Sequence, residues 1–214
     1  MSFSGFPVAA LDFYDDLEMD NTKSYWESHK HVYAESVRAP MTALCAELAP
    51  EFAPDGQSAK IFRPYRDVRF AKDKTPYKNH QGAFVGVGAA TGYYVEISPR
   101  GVRAGAGFYE ASGPRLAAIR EAMADDLSGR RLQRLLAAYE KDGWDIGGEQ
   151  LKTAPRGYPA DHPRIDLLRR KQIVVGRGYG FDDVIHSPEL ADRVRADWRS
   201  LRPLVEWVAS HAEG

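Results

Sequence analysis

The stretch AFVGVGAATGYYVEISPRGVRAGAGFY, residues 83–109, decides the fold. Three β-type runs, Ala83 to Val87, Tyr93 to Ile97 and Val102 to Tyr109, are parted only by short connections rich in glycine and other turn residues. A parallel crossover needs a dozen or more residues, so links this short predict an antiparallel meander. Upstream, the turn residues Pro54-Asp55-Gly56 precede two more short runs, Ile61 to Tyr65 and Val68 to Phe70, which extends the sheet-rich region to 59–110.

Outward from the meander the apolar period lengthens. Val8, Leu11, Phe13, Tyr14 and Leu17 recur at near-helical spacing before the polar break Met19-Asp20-Asn21-Thr22, where Asn21 or Thr22 can cap the next helix. Tyr25, Trp26, Val32, Tyr33, Val37, Met41, Leu44, Cys45 and Leu48 predict that second helix from Lys23 to Phe52, reset near Pro40, so that helices fill residues 8–53. Downstream, Ser112 with Pro114 predicts a third helix start, and Ser128 a fourth, with Leu132, Leu135, Leu136 and Tyr139 as its buried stripe. Residues 147–163 read as a loop, 165–170 as a short helix and 172–180 as one more strand. Ser187-Pro188-Glu189 opens a C-terminal helix with a break at Pro203. The pattern predicts an α+β fold, a mainly antiparallel sheet with helices packed on one face, in a single domain spanning 1–214.

Composition narrows the function classes. With 43% hydrophobic residues, 28% charged residues and a net charge of −1, the chain is not a disordered polyelectrolyte. No apolar run approaches the roughly 18 residues of a membrane span, and the start MSFSGFPVAALDFYDD lacks the pattern of a signal peptide. A cytoplasmic protein with no membrane partner is the expectation. The lone Cys45 excludes an internal disulfide and a cysteine-pair zinc site, and its place on the Met41, Leu44, Leu48 stripe predicts an inert thiol. His29 and His31, two apart on a helix, face different directions and do not suggest joint metal ligation. Gly-x-Gly pieces at 86–88, 105–107 and 176–178 lack the strand-turn-helix setting of a nucleotide loop and read as close-packed strands or turns. No cofactor is expected.

Charge is concentrated in one place. Residues 60–78, KIFRPYRDVRFAKDKTPYK, carry seven basic side chains, Lys60, Arg63, Arg66, Arg69, Lys72, Lys74 and Lys78, against Asp67 and Asp73. The block is +5 in a chain of −1, so the other residues sum to −6. If 62–70 is extended, Phe62, Pro64, Arg66, Val68 and Phe70 share an inward face and Arg63, Tyr65, Asp67 and Arg69 the other. Arg63 and Arg69 then flank Asp67, a geometry that can close into an internal ion-pair network or present guanidinium forks to a carboxylate or phosphate. Spacing leaves both open. Pro64 confines such a strand to an edge or a bulge. Phe62, Tyr65, Phe70 and Tyr77 interleave with the cations as in nucleic-acid stacking platforms, but a pI near 6.6 makes nucleic acid an unfavoured partner, weak and nonspecific at most.

At this block the chain resembles the bacterial and fungal family known as domain of unknown function 2461. The shared run has the form F-R-x-Y-R-D-x-R-F-S-x-D-K-x-P-Y-K, matched by Phe62, Arg63, Tyr65, Arg66, Asp67, Arg69, Phe70, Asp73, Lys74, Pro76, Tyr77 and Lys78, with Ala71 in place of the serine. The likeness extends to Phe3-Ser4-Gly5-Phe6, to Asn21 with Trp26, to Gly105-Ala106-Gly107, to residues 151–158 and to Asp161-His162-Pro163. It implies one domain and brings no activity, cofactor or catalytic residue.

The leading expectation is binding or processing of a small anionic, perhaps phosphorylated, ligand by Arg63, Arg66, Asp67, Arg69, Asp73, Lys74, Tyr77 and Lys78. Lys152, Tyr158, Asp161 and His162 are secondary candidates, with a loop-positioning or capping role weighed for His162, and His80 can share the pocket or sit on a surface turn. The alternative is a structural or interaction module whose basic block is an internal network. Oligomeric state has no signal in the sequence.

Overall fold

The computed structural model describes residues 2–53, 58–88, 91–109 and 111–212. Strands β1 (Lys60–Ile61), β2 (Gln81–Gly88), β3 (Thr91–Ser98), β4 (Gly101–Phe108), β5 (Asp145–Gly147) and β6 (Ile173–Gly178) form one six-stranded antiparallel sheet in the order β1-β2-β3-β4-β6-β5. The meander is therefore present. In β3, Tyr93, Val95 and Ile97 are buried and Tyr94, Glu96 and Ser98 half-buried, the period-two pattern of a strand with one packed face. Strand β5 has no counterpart among the runs expected from sequence, because three residues between a helix stop and a glycine-rich loop carry no periodicity. The turn expected at Pro54-Asp55-Gly56 lies outside the described residues.

Helix α1 is Val8–Met19 and α2 is Lys23–Val32; Thr22 caps α2, its Oγ1 accepting from the Tyr25 N–H at 3.2 Å. Between α2 and α3 (Ala39–Phe52) there is no reset at Pro40. Residues Tyr33–Arg38 instead widen into a π-helix in which the Ala39 N–H reaches the Ala34 carbonyl. Pro40 has no N–H for the carbonyl four residues back and crowds it, and a π turn accommodates both conflicts without ending the helix. Helix α4 is Gly113–Ala124, with Ser112 at its start but making no side-chain cap. Asp125, not Ser128, caps α5 (Asp126–Lys141), accepting from the Leu127 and Ser128 amides at 2.9 and 2.8 Å. Helix α6 is the short Ile165–Leu168, and α7 runs unbroken through Pro203 from Glu189 to His211. Helix and strand make up 50% and 19%, an α+β fold.

By its contacts the chain divides into two compact units. The first comprises Met1–Val85, Tyr94–Ala104 and Gly178–Ala196, the second Gly86–Tyr93, Gly105–Arg177 and Asp197–Gly214. In the first, Phe13, Trp26, Tyr33, Val37, Met41, Leu44 and Leu48 are buried together with Cys45, whose thiol pKa burial pushes up to about 12. Its burial is what its place on the stripe leads one to expect. In the second, buried Arg164 closes the end of α4: it donates to the Met123 carbonyl at 2.9 Å, to the Ala124 carbonyl and to Asp126 at 2.9 Å. Helix-terminal carbonyls that would otherwise lack donors are satisfied there. Gly105 and Gly107 let β4 approach β6 so closely that a Cβ would stand 2.7 Å from the Val175 carbonyl oxygen and 2.0 Å from that of Ile173. The Gly-x-Gly of this segment is thus a close-packing device.

Candidate functional site

The basic block is not a strand beyond Ile61. Residues 62–80 leave the sheet as an excursion pinched by one antiparallel bridge, Tyr65 to Tyr77. The Arg66 N–H donates to the Pro76 carbonyl at 2.9 Å and the Lys78 N–H to the Pro64 carbonyl at 2.7 Å. Pro64 can accept at this pinch but has no N–H to continue a ladder. The expected alternation of faces fails accordingly: Pro64 is buried, but Phe70 is 97% exposed at the far end of the loop.

Two devices anchor the base of the excursion. Asn21, past the end of α1, grips the backbone of Tyr77 at both groups, with its Nδ2 donating to the carbonyl at 3.0 Å and its Oδ1 accepting from the N–H at 3.1 Å. The Tyr77 ring stacks on Trp26, centroids 4.4 Å apart and planes 10° from parallel, and Tyr65 packs against both. Behind them, buried Gln81 donates to the Phe62 and Gly82 carbonyls at 2.8 and 2.7 Å and accepts from the Tyr33 hydroxyl at 2.6 Å. Tyr33 belongs to the π-helix, and burial pushes its pKa up to about 12, so it stays a donor at neutral pH.

Inside the loop the carboxylates are occupied. Half-buried Arg66 pairs with Asp73 and also donates to the Thr75 hydroxyl, while Asp73 Oδ1 accepts from the Thr75 N–H and Oγ1, each at 2.9 Å. The Arg66 hydrogen bond, followed by the bonds from Thr75, holds the Asp73 carboxyl down to about 2. A lowered carboxyl pKa adds stability above the ordinary value of 3.8, and that contribution is lost as pH falls toward 2. The Thr75 amide resonance should therefore titrate with a midpoint near 2 in an NMR pH series; a midpoint at the ordinary value would show that the knot does not form.

Asp67 takes Arg69 through Nε at 2.9 Å and a terminal nitrogen at 2.6 Å, and Lys74 donates to the Val68 carbonyl at 2.9 Å. Asp67 thus does not sit evenly between two arginines. It contacts Arg69, and Arg63 helps to lower its pKa only as a nearby charge. Among the described residues Arg63 makes no ion pair.

Lys78 is different again. Its half-buried ammonium and that of Lys60 each stand 5.5 Å from the centroid of the Phe62 ring. Burial, then the charges of Arg63 and Lys60, pull the Lys78 pKa below the usual lysine range. No carboxylate of the described residues pairs with Lys60, Arg63 or Lys78.

Lys78 also lines a cleft of about 470 Å³ with Arg66, Asp73 and Thr75 on one side and Glu18, Asn21, Asn79 and His80 completing the wall. Glu18, Asn79 and His80 are shared with an adjoining hollow of about 260 Å³ that reaches Glu96 and Arg100. Burial lowers the His80 pKa, opposed by the Glu96 charge and aided to a smaller extent by Lys78.

Of the residues named from sequence, Arg66, Asp73, Tyr77 and Lys78 share this cleft, whereas Arg63, Asp67, Arg69 and Lys74 do not line it. Sequence reasoning misses Asn21, Glu18 and Asn79 as cleft residues; Asn21 carries a signal, its place in the family pattern, but reads by itself as a helix cap. Lys152, Tyr158, Asp161 and His162 lie in the second unit. There Lys152 and Asp161 are exposed, and His162 Nδ1 accepts from the Arg164 N–H at 3.1 Å.

Among the described residues no helix is long and apolar enough to cross a membrane, and no group of histidine, cysteine and carboxylate side chains could hold a metal ion. No curated protein matches the chain. A family model described as "Conserved hypothetical protein (DUF2461)" matches residues 9–207. With nearly all of its 214 residues covered, the chain belongs to that family.

Proposed function

We propose that the protein is a cytoplasmic binder, or processor, of a small anionic ligand, and that the anion seats beside Lys78 with Arg63 and Lys60 adding attraction. The observation that carries this reading is a half-buried ammonium held near two further cations with no carboxylate partner among the described residues. Such an arrangement disfavours the charged lysine in the empty protein, and a ligand anion supplies the missing counter-charge. The cleft volume of about 470 Å³ suits a small molecule. Glu18, Asn21 and Asn79 on the wall suit a ligand whose remaining groups are hydroxyls or amines. A phosphorylated polar metabolite has both kinds of group.

A second reading, an internal network without a ligand, is favoured at Arg66 and Arg69, because each already has a carboxylate. The two readings divide the block between them. Nucleic acid has less support, since Tyr77 is buried against Trp26 and so is not available for stacking on bases.

Thermal shift with inorganic phosphate, pyrophosphate and sulfate tests the reading. A ligand at 100 times its dissociation constant stabilises by about 2.7 kcal/mol. The expected result is a rise in melting temperature that is abolished in Lys78→Gln, reduced in Arg63→Gln and retained in Arg69→Gln. An equal rise in Lys78→Gln, or none in the wild type with any of the three anions, would count against the site.

A further inference from the structure

The excursion is built to hold an apolar ring in water. Its neck is tied by Arg66, Asp73 and Thr75 and its flanks by the Asp67–Arg69 pair and the Lys74 to Val68 hydrogen bond, yet Phe70 between them is 97% exposed. A single exposed apolar side chain is ordinary. Here, however, Arg69, Lys72 and Lys74, all exposed, stand within four residues of it on the same loop, so apolar and positive side chains share one segment.

The same unit carries the opposite surface. From Asp12 to Asp20, α1 and its C-cap hold Asp12, Asp15, Asp16, Glu18 and Asp20, all exposed, with no basic side chain. Four of the five crowd the C-terminal half, where the helix dipole is already negative and acidic residues are destabilising. Among the described residues of this unit the ion pairs use other carboxylates, those of Glu27, Glu47, Glu51, Asp67, Asp73, Asp182 and Asp192. The field is felt locally: after burial, Asp16 and Asp20 raise the pKa of Tyr25. In the middle of this negative end stands Met19, 89% exposed. The two surfaces are fixed to each other, because Asn21 grips Tyr77 and Asn79 donates to Glu18 at 3.4 Å.

We infer that the protein self-associates as a two-fold dimer in which the basic loop of one copy, tipped by Phe70, docks on the acidic end of α1 and Met19 of the other. In a two-fold interface each loop-to-helix contact is made twice, so two modest contacts add. Thioether-to-aromatic packing between Met19 and Phe70 supplies an apolar centre, and carboxylates without an ion pair among the described residues supply the partners that Arg63 and Lys72 lack there. A second copy fits better than an extended polyanion such as a membrane or nucleic acid, because the residues outside 60–78 sum to −6 and would be repelled by one. The inference does not depend on the anion site.

Sedimentation velocity on the full chain over a range of concentration, at low and high salt, is the test. At low salt the mass should rise with concentration from 23.9 kDa toward twice that value and stop there, and high salt should return it to the monomer. Phe70→Ser and Met19→Ser should each weaken the dimer about tenfold or more, and as changes at exposed positions they leave the fold intact. Lys72→Glu should weaken it as well, and Asp16→Lys in the partner should restore association between the two variants. A monomer under all conditions, a dimer indifferent to salt and to Phe70→Ser, or growth into larger assemblies would overturn the arrangement.

Discussion

Gly107→Ala is expected to cost about 2–5 kcal/mol of stability, combining backbone strain with overpacking. Gly107 has φ +145°, a region open to few side chains, and the added methyl would stand 2.0 Å from the Ile173 carbonyl oxygen. That oxygen belongs to the backbone of β6 and cannot swing aside as a side-chain tip could. The strands must part, and the contact most at risk is the one that joins the meander to its fourth strand. Gly113→Ala is the control: it opens α4, has nothing within 4 Å of the added carbon, and should be neutral or stabilising by up to about 1 kcal/mol. Urea unfolding of both variants checks the pair. Equal stability in the two would mean that β4 and β6 are not in contact at this point.

Asn21→Ala is expected to have the largest effect on the site. It deletes the donor and the acceptor that hold both backbone groups of Tyr77, at a cost of about 1–3 kcal/mol for partly buried groups left without partners. The consequence reaches further than stability. Tyr77 bridges to Tyr65 at the pinch of the excursion, and the Lys78 N–H next to it holds Pro64. Loosening that point frees Arg66 and Lys78 to move independently, so the cleft loses definition. Asn21→Asp is the sharper variant: it keeps the acceptor for the Tyr77 N–H but sets a carboxylate against the Tyr77 carbonyl. Hydrogen exchange of the Tyr77 and Lys78 amides should accelerate in both variants, while amides of the α3 core stay protected. Unchanged exchange at Tyr77 would show that the asparagine is not its anchor.

The meander is legible in the sequence because its signals are local. Short glycine-bearing links and two-residue alternation over 93–98 leave an antiparallel sheet as the one arrangement that fits. The long second helix is legible too, but not its π turn, since whether a proline breaks a helix or is absorbed by widening depends on what the widened turn packs against. Pro203 in α7 makes the same point: proline removes one hydrogen bond, and a helix carrying Leu201, Leu204, Val205 and Trp207 as buried residues continues through the loss. The basic block is the least legible part. Alternation assigns Phe70 to the core and sets Asp67 between Arg63 and Arg69, because a pattern of period two is all that residues 62–70 offer by themselves. What overrules it is non-local. Asn21 and Tyr77, far apart in the chain, fix the pinch, and the Arg66–Asp73–Thr75 knot closes a loop that no window of the sequence marks as closed.

Arg66 and Arg69 each have a carboxylate partner, whereas Lys78 is proposed to take its counter-charge from a bound anion. The most direct test of that proposal is an NMR pH titration of the lysine ε-groups, with Lys78 assigned through Lys78→Arg, in the absence and presence of pyrophosphate. Lys78 should titrate below the usual lysine range of about 10.4 in the free protein and move upward when the anion is added. A Lys78 that titrates with the exposed lysines and does not respond to the anion would contradict it.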